Sequence, residues 1–174
     1  MPFDLQPVLR GDLVGVRPLR PADFDELHEV ARDPLIWDQH PVRDRHRLEV
    51  FTRFFAASLA SGGALVVTST AGDVIGSSRF HGYDQRRGEV EIGWTFLARS
   101  HWGGQTNGQL KALMLGHAFR FVERVVFLVG PDNRRSQRAL EKIGAVRVGI
   151  RPDAAGHDSL LFEVRRPAGS TKSG

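Results

Sequence analysis

The segment Trp94-Thr95-Phe96-Leu97-Ala98-Arg99-Ser100-His101-Trp102-Gly103-Gly104-Gln105-Thr106-Asn107-Gly108 constrains this chain more than any other. It leaves a stretch with strand character, passes through a glycine loop and enters a helix. Glycines let a backbone approach a ligand closely, and a helix start presents N–H groups that have no intrahelical partner. The combination suits an anion, commonly a phosphate, held by backbone donors and the positive end of the helix dipole. A glycine turn can equally serve a tight corner, so the flanking segments decide its meaning.

Residues 89–96 read as the strand before the loop. The helix after it, about 107–122, carries Leu110, Leu113, Met114, Ala118, Phe121 and Val122 on one face. Residues 125–130 are a short apolar run, as expected of a strand buried on both sides. Strand, loop, helix and strand make a βαβ crossover, and small molecules bind beyond the carboxyl ends of such parallel strands. Around this unit the pattern predicts antiparallel pairs: a strand at 13–19, a hairpin of 64–70 with 74–80, and a closing pair at 145–150 and 159–165. Helices are expected after Pro21-Ala22-Asp23, over 45–60, and around Ala139, Leu140 and Ile143 up to Gly144. The expected class is α+β with a mixed, mostly antiparallel sheet, as one domain over 1–166 with a disordered polar tail at 167–174.

At 174 residues and 41% hydrophobic content the chain can bury a real core. No window approaches a membrane span of roughly 18 apolar residues, and no secretory pattern opens the chain. The expectation is a cytoplasmic protein. With no cysteine, disulfides and thiol nucleophiles are excluded. The net charge of +4 comes almost wholly from arginine, since the lysines are only Lys111, Lys142 and Lys172. Arginine suits phosphate, although codon bias and ordinary solvated surface explain the excess equally well. The charge is too diffuse, and too poor in interleaved aromatic platforms, to indicate nucleic acid. The seven histidines are scattered without H-x-x-x-H spacing, so no metal site is expected.

Four stretches then carry a family likeness: "VGVRPLRPADFDEL", "EIGWTFLARSHWGGQTNGQLKALMLGHAF", "VFLVGPDNRRSQRALEKIGAVRVG" and the closing hairpin. From about Leu13 to Val164 the chain resembles the GNAT superfamily of acetyl-CoA-dependent N-acetyltransferases, in its ribosomal-protein-alanine acetyltransferase-like branch. The resemblance implies a twisted central sheet whose two parallel strands splay apart around acetyl-CoA, the cosubstrate. Its pantetheine arm would pair with Trp94, Thr95, Phe96 and Leu97. Its pyrophosphate would rest on the backbone donors of Trp102, Gly103, Gly104, Gln105, Thr106 and Asn107, with His101 also among the cofactor-binding residues and Asn133 and Ser136 near the thiol end.

By the same resemblance the amine acceptor attacks the thioester directly, with Glu91 as the base that frees its lone pair. Ser136 is a candidate, though poor, acid for the leaving thiolate. Trp37, His40 and Glu89 fall where the acceptor would lie. Both glutamates can instead be exposed ladder residues, and Trp37 can simply plug the core edge. The acceptor is left open among a protein N-terminus, a lysine and a small amine. Homodimerisation is common in the family, but nothing in this sequence demands it.

Departures from the family pattern stand at Gln105, where a small residue is usual, and at Gln109, where glutamate is frequent. Gly108 costs the first helical turn roughly 1 kcal/mol against alanine. Leu140 occupies the position of the frequent acid tyrosine. These departures keep a second reading alive, an acetyl-CoA-binding regulatory domain with little turnover.

Overall fold

Strand β3 (Ala64–Ser69) shows how one sheet serves two cores. Its side chains alternate, so Leu65 and Val67 point to one face while Ala64 and Val66 point to the other, and all four are buried. The strand is therefore central, with helices on both sides. The computed structural model, which describes residues 2–170, bears this out. Of the tail expected to be disordered, residues 171–174 lie outside the described residues.

The elements follow as β1 (Leu9–Arg10), β2 (Val14–Pro18), α1 (Phe24–Ala31), α2 (Leu48–Ala60), β3, β4 (Val74–Asp84), β5 (Glu89–Leu97), α3 (Thr106–Ala118), β6 (Arg124–Val129), α4 (Arg134–Lys142), β7 (Val146–Pro152) and β8 (Asp158–Arg165). Eight strands form one sheet in the order β1-β2-β3-β4-β5-β6-β8-β7. Every neighbouring pair is antiparallel except β5 with β6. One face carries α3, whose Leu110, Met114 and Ala118 pack on Val14, Leu65, Val90 and Ile92. The other face carries α1 and α2, through Leu27, Phe51 and Phe55 against Val66, Val74 and Phe96.

Two expected boundaries move, with consequences for function. The second helix starts at Leu48 because Arg47 holds extended backbone (ψ 140°), so Arg45 falls in the preceding loop. The strand expected to stop at 80 runs on to Asp84, and Tyr83 within it packs its ring on Phe3.

Strand β5 breaks its own alternation. Val90 and Ile92 face α3, but beyond them Leu97 faces α3 while Phe96 faces the opposite core. The slip occurs at Trp94, the one non-glycine residue among those described with positive φ, at 52°. Opposite it, Arg79 pairs with Gly93 and Ser77 with Phe96, so two steps along β4 answer three along β5. This is a β-bulge with its extra residue in the left-handed region.

The parallel pairing is also brief. Only Glu89, Val90 and Glu91 of β5 register with Arg124, Val125 and Val126 of β6. At that closed end Glu89 is buried and paired with Arg124, and with Arg151 of β7 at 2.6 Å. Arg124 also reaches Glu163 of β8 at 3.2 Å. Burial works against ionisation of Glu89, but the two guanidiniums outweigh it and hold its pKa below the usual value. A carboxylate with a lowered pKa contributes stability at neutral pH that is lost as pH falls through that pKa. Glu89→Gln should therefore cost roughly 3 kcal/mol at neutral pH, as expected for breaking a buried pair. Denaturant unfolding should show the penalty, and the difference from wild type should shrink in acid.

Candidate active site

Past Glu91 and Val126 the two parallel strands part, and a cavity of about 910 Å³ lies against the gap. Its walls come from β5, the glycine loop and start of α3, the end of β6, α4, the turn between β7 and β8, and the loop before α2. Of the residues singled out from sequence, Trp37, His40, Glu91, Trp94, Thr95, Phe96, Leu97, Trp102, Gly103, Gly104, Asn107, Asn133 and Ser136 line it. Trp37 and Ser136, at opposite ends of that set, share one site only because the crossover folds the intervening chain between them.

Four expected residues do not join them. Glu89 is spent in the ion cluster at the closed end. His101 ends the short 3-10 turn before the loop. Gln105 and Thr106 open α3, but at about 100° per residue they rotate away from the stripe of Asn107, Gly108 and Lys111 that faces the cavity. Gln109, on the far side, accepts the Leu13 and Val14 amides at 2.6 and 3.0 Å, so this departure from the family pattern ties α3 to β2.

The phosphate-type loop keeps its donors free. Helix α3 has no side-chain cap at its N-terminus, so its first amides are not consumed internally. Gly103 has φ of 74°, and a Cβ on Gly103, Gly104 or Gly108 would meet nothing within 4 Å. Gly108 therefore leaves space in the cradle. Trp102 closes one side, its indole N–H donating to the Leu97 carbonyl at 3.0 Å and its ring stacked under Arg135 at 4.0 Å. Arg135, Arg138 and Lys142 line the cavity from α4. An anionic, phosphate-bearing group fits this set of donors and charges.

Deeper in, Glu91 faces the cavity without an ion-pair partner among the described residues. Burial pushes its pKa up to about 7, against the pull of Arg151 and Arg79. A carboxylate poised there can exchange protons near neutral pH. His40 is edge-on to Trp37 at 5.3 Å, and its Nδ1 accepts the Val42 amide at 2.9 Å. Burial, then the positive charge of Arg45, hold it down to about 4, so the ring is neutral with its proton on Nε2. Trp37 is almost wholly buried and its indole N–H is spent on the Ala31 carbonyl at 2.7 Å, so it offers only an apolar wall. Asn133 caps α4 by accepting the Ser136 amide at 3.2 Å. Leu140 is buried and lines the cavity, so no acid stands at that point of α4.

Lys111 was not among the residues expected from sequence. It is buried, lines the cavity, and donates to Thr95 Oγ1 at 2.8 Å, which also contacts Ser78 Oγ at 2.8 Å. The signal was available, since it lies four residues after Asn107 and so on the same side of the helix. Burial lowers its pKa to about 7. A lysine with a lowered pKa destabilises the fold fully below that pKa, and the cost fades as pH rises toward the ordinary lysine value. Lys111→Met should therefore raise the melting temperature by ~3 °C or more in mild acid. Scanning calorimetry across pH should show the gain shrinking above about pH 7.

Residues 14–146 match the acetyltransferase (GNAT) domain family, and the chain belongs to that family of acyltransferases. An acetyltransferase structure from T. thermophilus is 28% identical, with a TM-score of 0.74 over 95% of this chain and 90% of that one. A GCN5-related N-acetyltransferase from Brucella melitensis shares the fold at 20% identity, with a TM-score of 0.75 over 92% of this chain and 79% of its own. So does Mycobacterium smegmatis RimJ, solved with CoA-disulfide, at 21% identity and a TM-score of 0.70 over 91% and 86%. No curated protein matches the sequence. Among the described residues no helix is long and apolar enough to cross a membrane.

Proposed function

We propose that this protein transfers an acetyl group from acetyl-CoA to a primary amine. The observation that carries this reading is one cavity joining an uncapped helix start with its glycine cradle to a half-buried carboxylate with pKa about 7. Acetyl-CoA supplies an activated thioester carbonyl. The amine nitrogen bonds to that carbon as the carbon–sulfur bond breaks. Glu91 takes the proton the nitrogen must lose, directly or through one water. The thiolate departs or is protonated by water, and its reference pKa of about 8.5 makes it a tolerable leaving group without a strong acid. Ser136, beside the α4 cap, holds the cosubstrate rather than driving proton transfer. The edge of Trp94, Thr95, Phe96 and Leu97 that faces the splay, where β6 no longer pairs with β5, offers backbone groups for an amide-containing arm.

Glu91→Gln should lower turnover roughly 10²–10⁴-fold while leaving acetyl-CoA affinity nearly unchanged. Because the base must be ionised, wild-type kcat/KM should rise with pH through about 7. That limb should vanish in the variant. Stopped-time coenzyme A release across pH, with an amine panel, measures both; equal rates for the two proteins would reduce Glu91 to a wall residue.

Gly103→Val places a β-branched residue at φ of 74° in the anion cradle. Calorimetric titration should show acetyl-CoA binding weakened more than tenfold, about 1.4 kcal/mol or more. Unchanged affinity in a folded variant would move the pyrophosphate elsewhere.

A further inference from the structure

The wall of the cavity nearest α2 carries two guanidiniums that no carboxylate touches among the described residues, Asp44 and Glu91 acting on them only from a distance. Arg45 lines the cavity, its guanidinium 4.3 Å from the Phe54 ring and 5.3 Å from the Trp37 ring. Arg79 lies behind Trp94, 4.1 Å from that ring and 6.0 Å from Phe54, so the two guanidiniums share one aromatic neighbour. Arg79 donates to Ser58 Oγ at 2.6 Å. Neither arginine forms an ion pair among the described residues, and the Nε of each is buried without a partner. By contrast Arg17, Arg99, Arg124, Arg135 and Arg151 all meet carboxylates.

Burial and, at Arg45, the charge of Arg79 lower both pKa values to about 10, which leaves both charged at neutral pH. The opposing carboxylates in the cavity are Glu91, itself only half ionised near pH 7, and Asp153 of the β7–β8 turn. Asp153 already accepts the Ala155 and His157 amides at 2.9 Å. His40 adds an Nε2–H donor to the same wall. Buried cations are costly without a counter-charge, and a guanidinium offers a planar fork of N–H donors that matches a carboxylate.

We propose that the acceptor is a small amine that carries its own carboxylate. The carboxylate docks on Arg45 with His40 beside it, and the amine is directed toward Glu91. This inference rests on the acetyl-transfer reading of the same cavity. Cationic acceptors such as polyamines are disfavoured, because they would bring further positive charge to Arg45 and Arg79.

The test uses saturating acetyl-CoA and matched acceptors: an α- or β-amino acid, its carboxamide, ethanolamine with phosphoethanolamine, and spermidine. Coenzyme A release gives kcat/KM, and titration of each amine into the CoA-loaded protein gives affinity. The amino acid should exceed its carboxamide at least tenfold in kcat/KM. Arg45→Gln should abolish that preference through KM, while Arg45→Lys should retain part of it, which separates charge recognition from a packing defect. Preference for the carboxamide or spermidine, or an equal loss for all acceptors in Arg45→Gln, overturns the proposal. So does a preference for phosphoethanolamine over the amino acid, which would assign the cation to phosphate. Amino acids that neither bind the CoA-loaded protein nor accept acetyl overturn it too, whereas failure of acetyl-CoA itself to bind overturns the acetyl-transfer reading beneath it.

Discussion

The parallel contact between β5 and β6 is held at one end and released at the other, and the rest of the site depends on that asymmetry. Three register pairs and the Glu89 cluster with Arg124 and Arg151 clamp the closed end. Beyond Glu91 and Val126 the ladder stops, so backbone groups of two central strands lose their natural partners in the middle of the fold. Buried backbone polar groups must bond to something.

The bulge at Trp94 sets what faces the opening. One extra residue in β5 reverses the alternation, sending Trp94 toward Arg79 and His81 and Thr95 toward Lys111. The two faces of the gap thereby acquire different chemistry. On the α3 side stand a buried amine and hydroxyls; on the α2 side stand aromatic rings, two arginines and His40. A regular strand would have exchanged these side chains between faces. The backbone strain of a tryptophan at positive φ is retained where it builds the site.

Charge inside the cavity is graded rather than uniform. Arg135, Arg138 and Lys142 line it from α4, and Arg135 lies over the ring of Trp102 in the loop before the uncapped start of α3. Glu91 lies deeper, and its raised pKa follows from burial prevailing over nearby cations. Glu89, two residues earlier on the same strand, has the opposite shift because arginines touch it directly. Two like residues therefore have opposite shifts, because guanidiniums bond directly to one and act on the other only from a distance.

Much of this was legible in the sequence. The order of strands and helices, the βαβ unit and the glycine loop follow from periodicity and turn chemistry, because those signals are local. The likeness in the blocks around Glu91, Gly103 and Asn133 marked most of the cavity wall. Spacing alone could not separate Glu89 from Glu91, since a period of two puts both on one face and says nothing of Arg151, which arrives from a strand 62 residues later. Nor could it reveal the slip at Trp94, the burial of Lys111, or Arg45 facing the cavity from a loop rather than riding on α2. Those are decided by tertiary structure, because a bulge, a buried charge and an unpaired guanidinium are each defined by what the rest of the chain places, or fails to place, beside them.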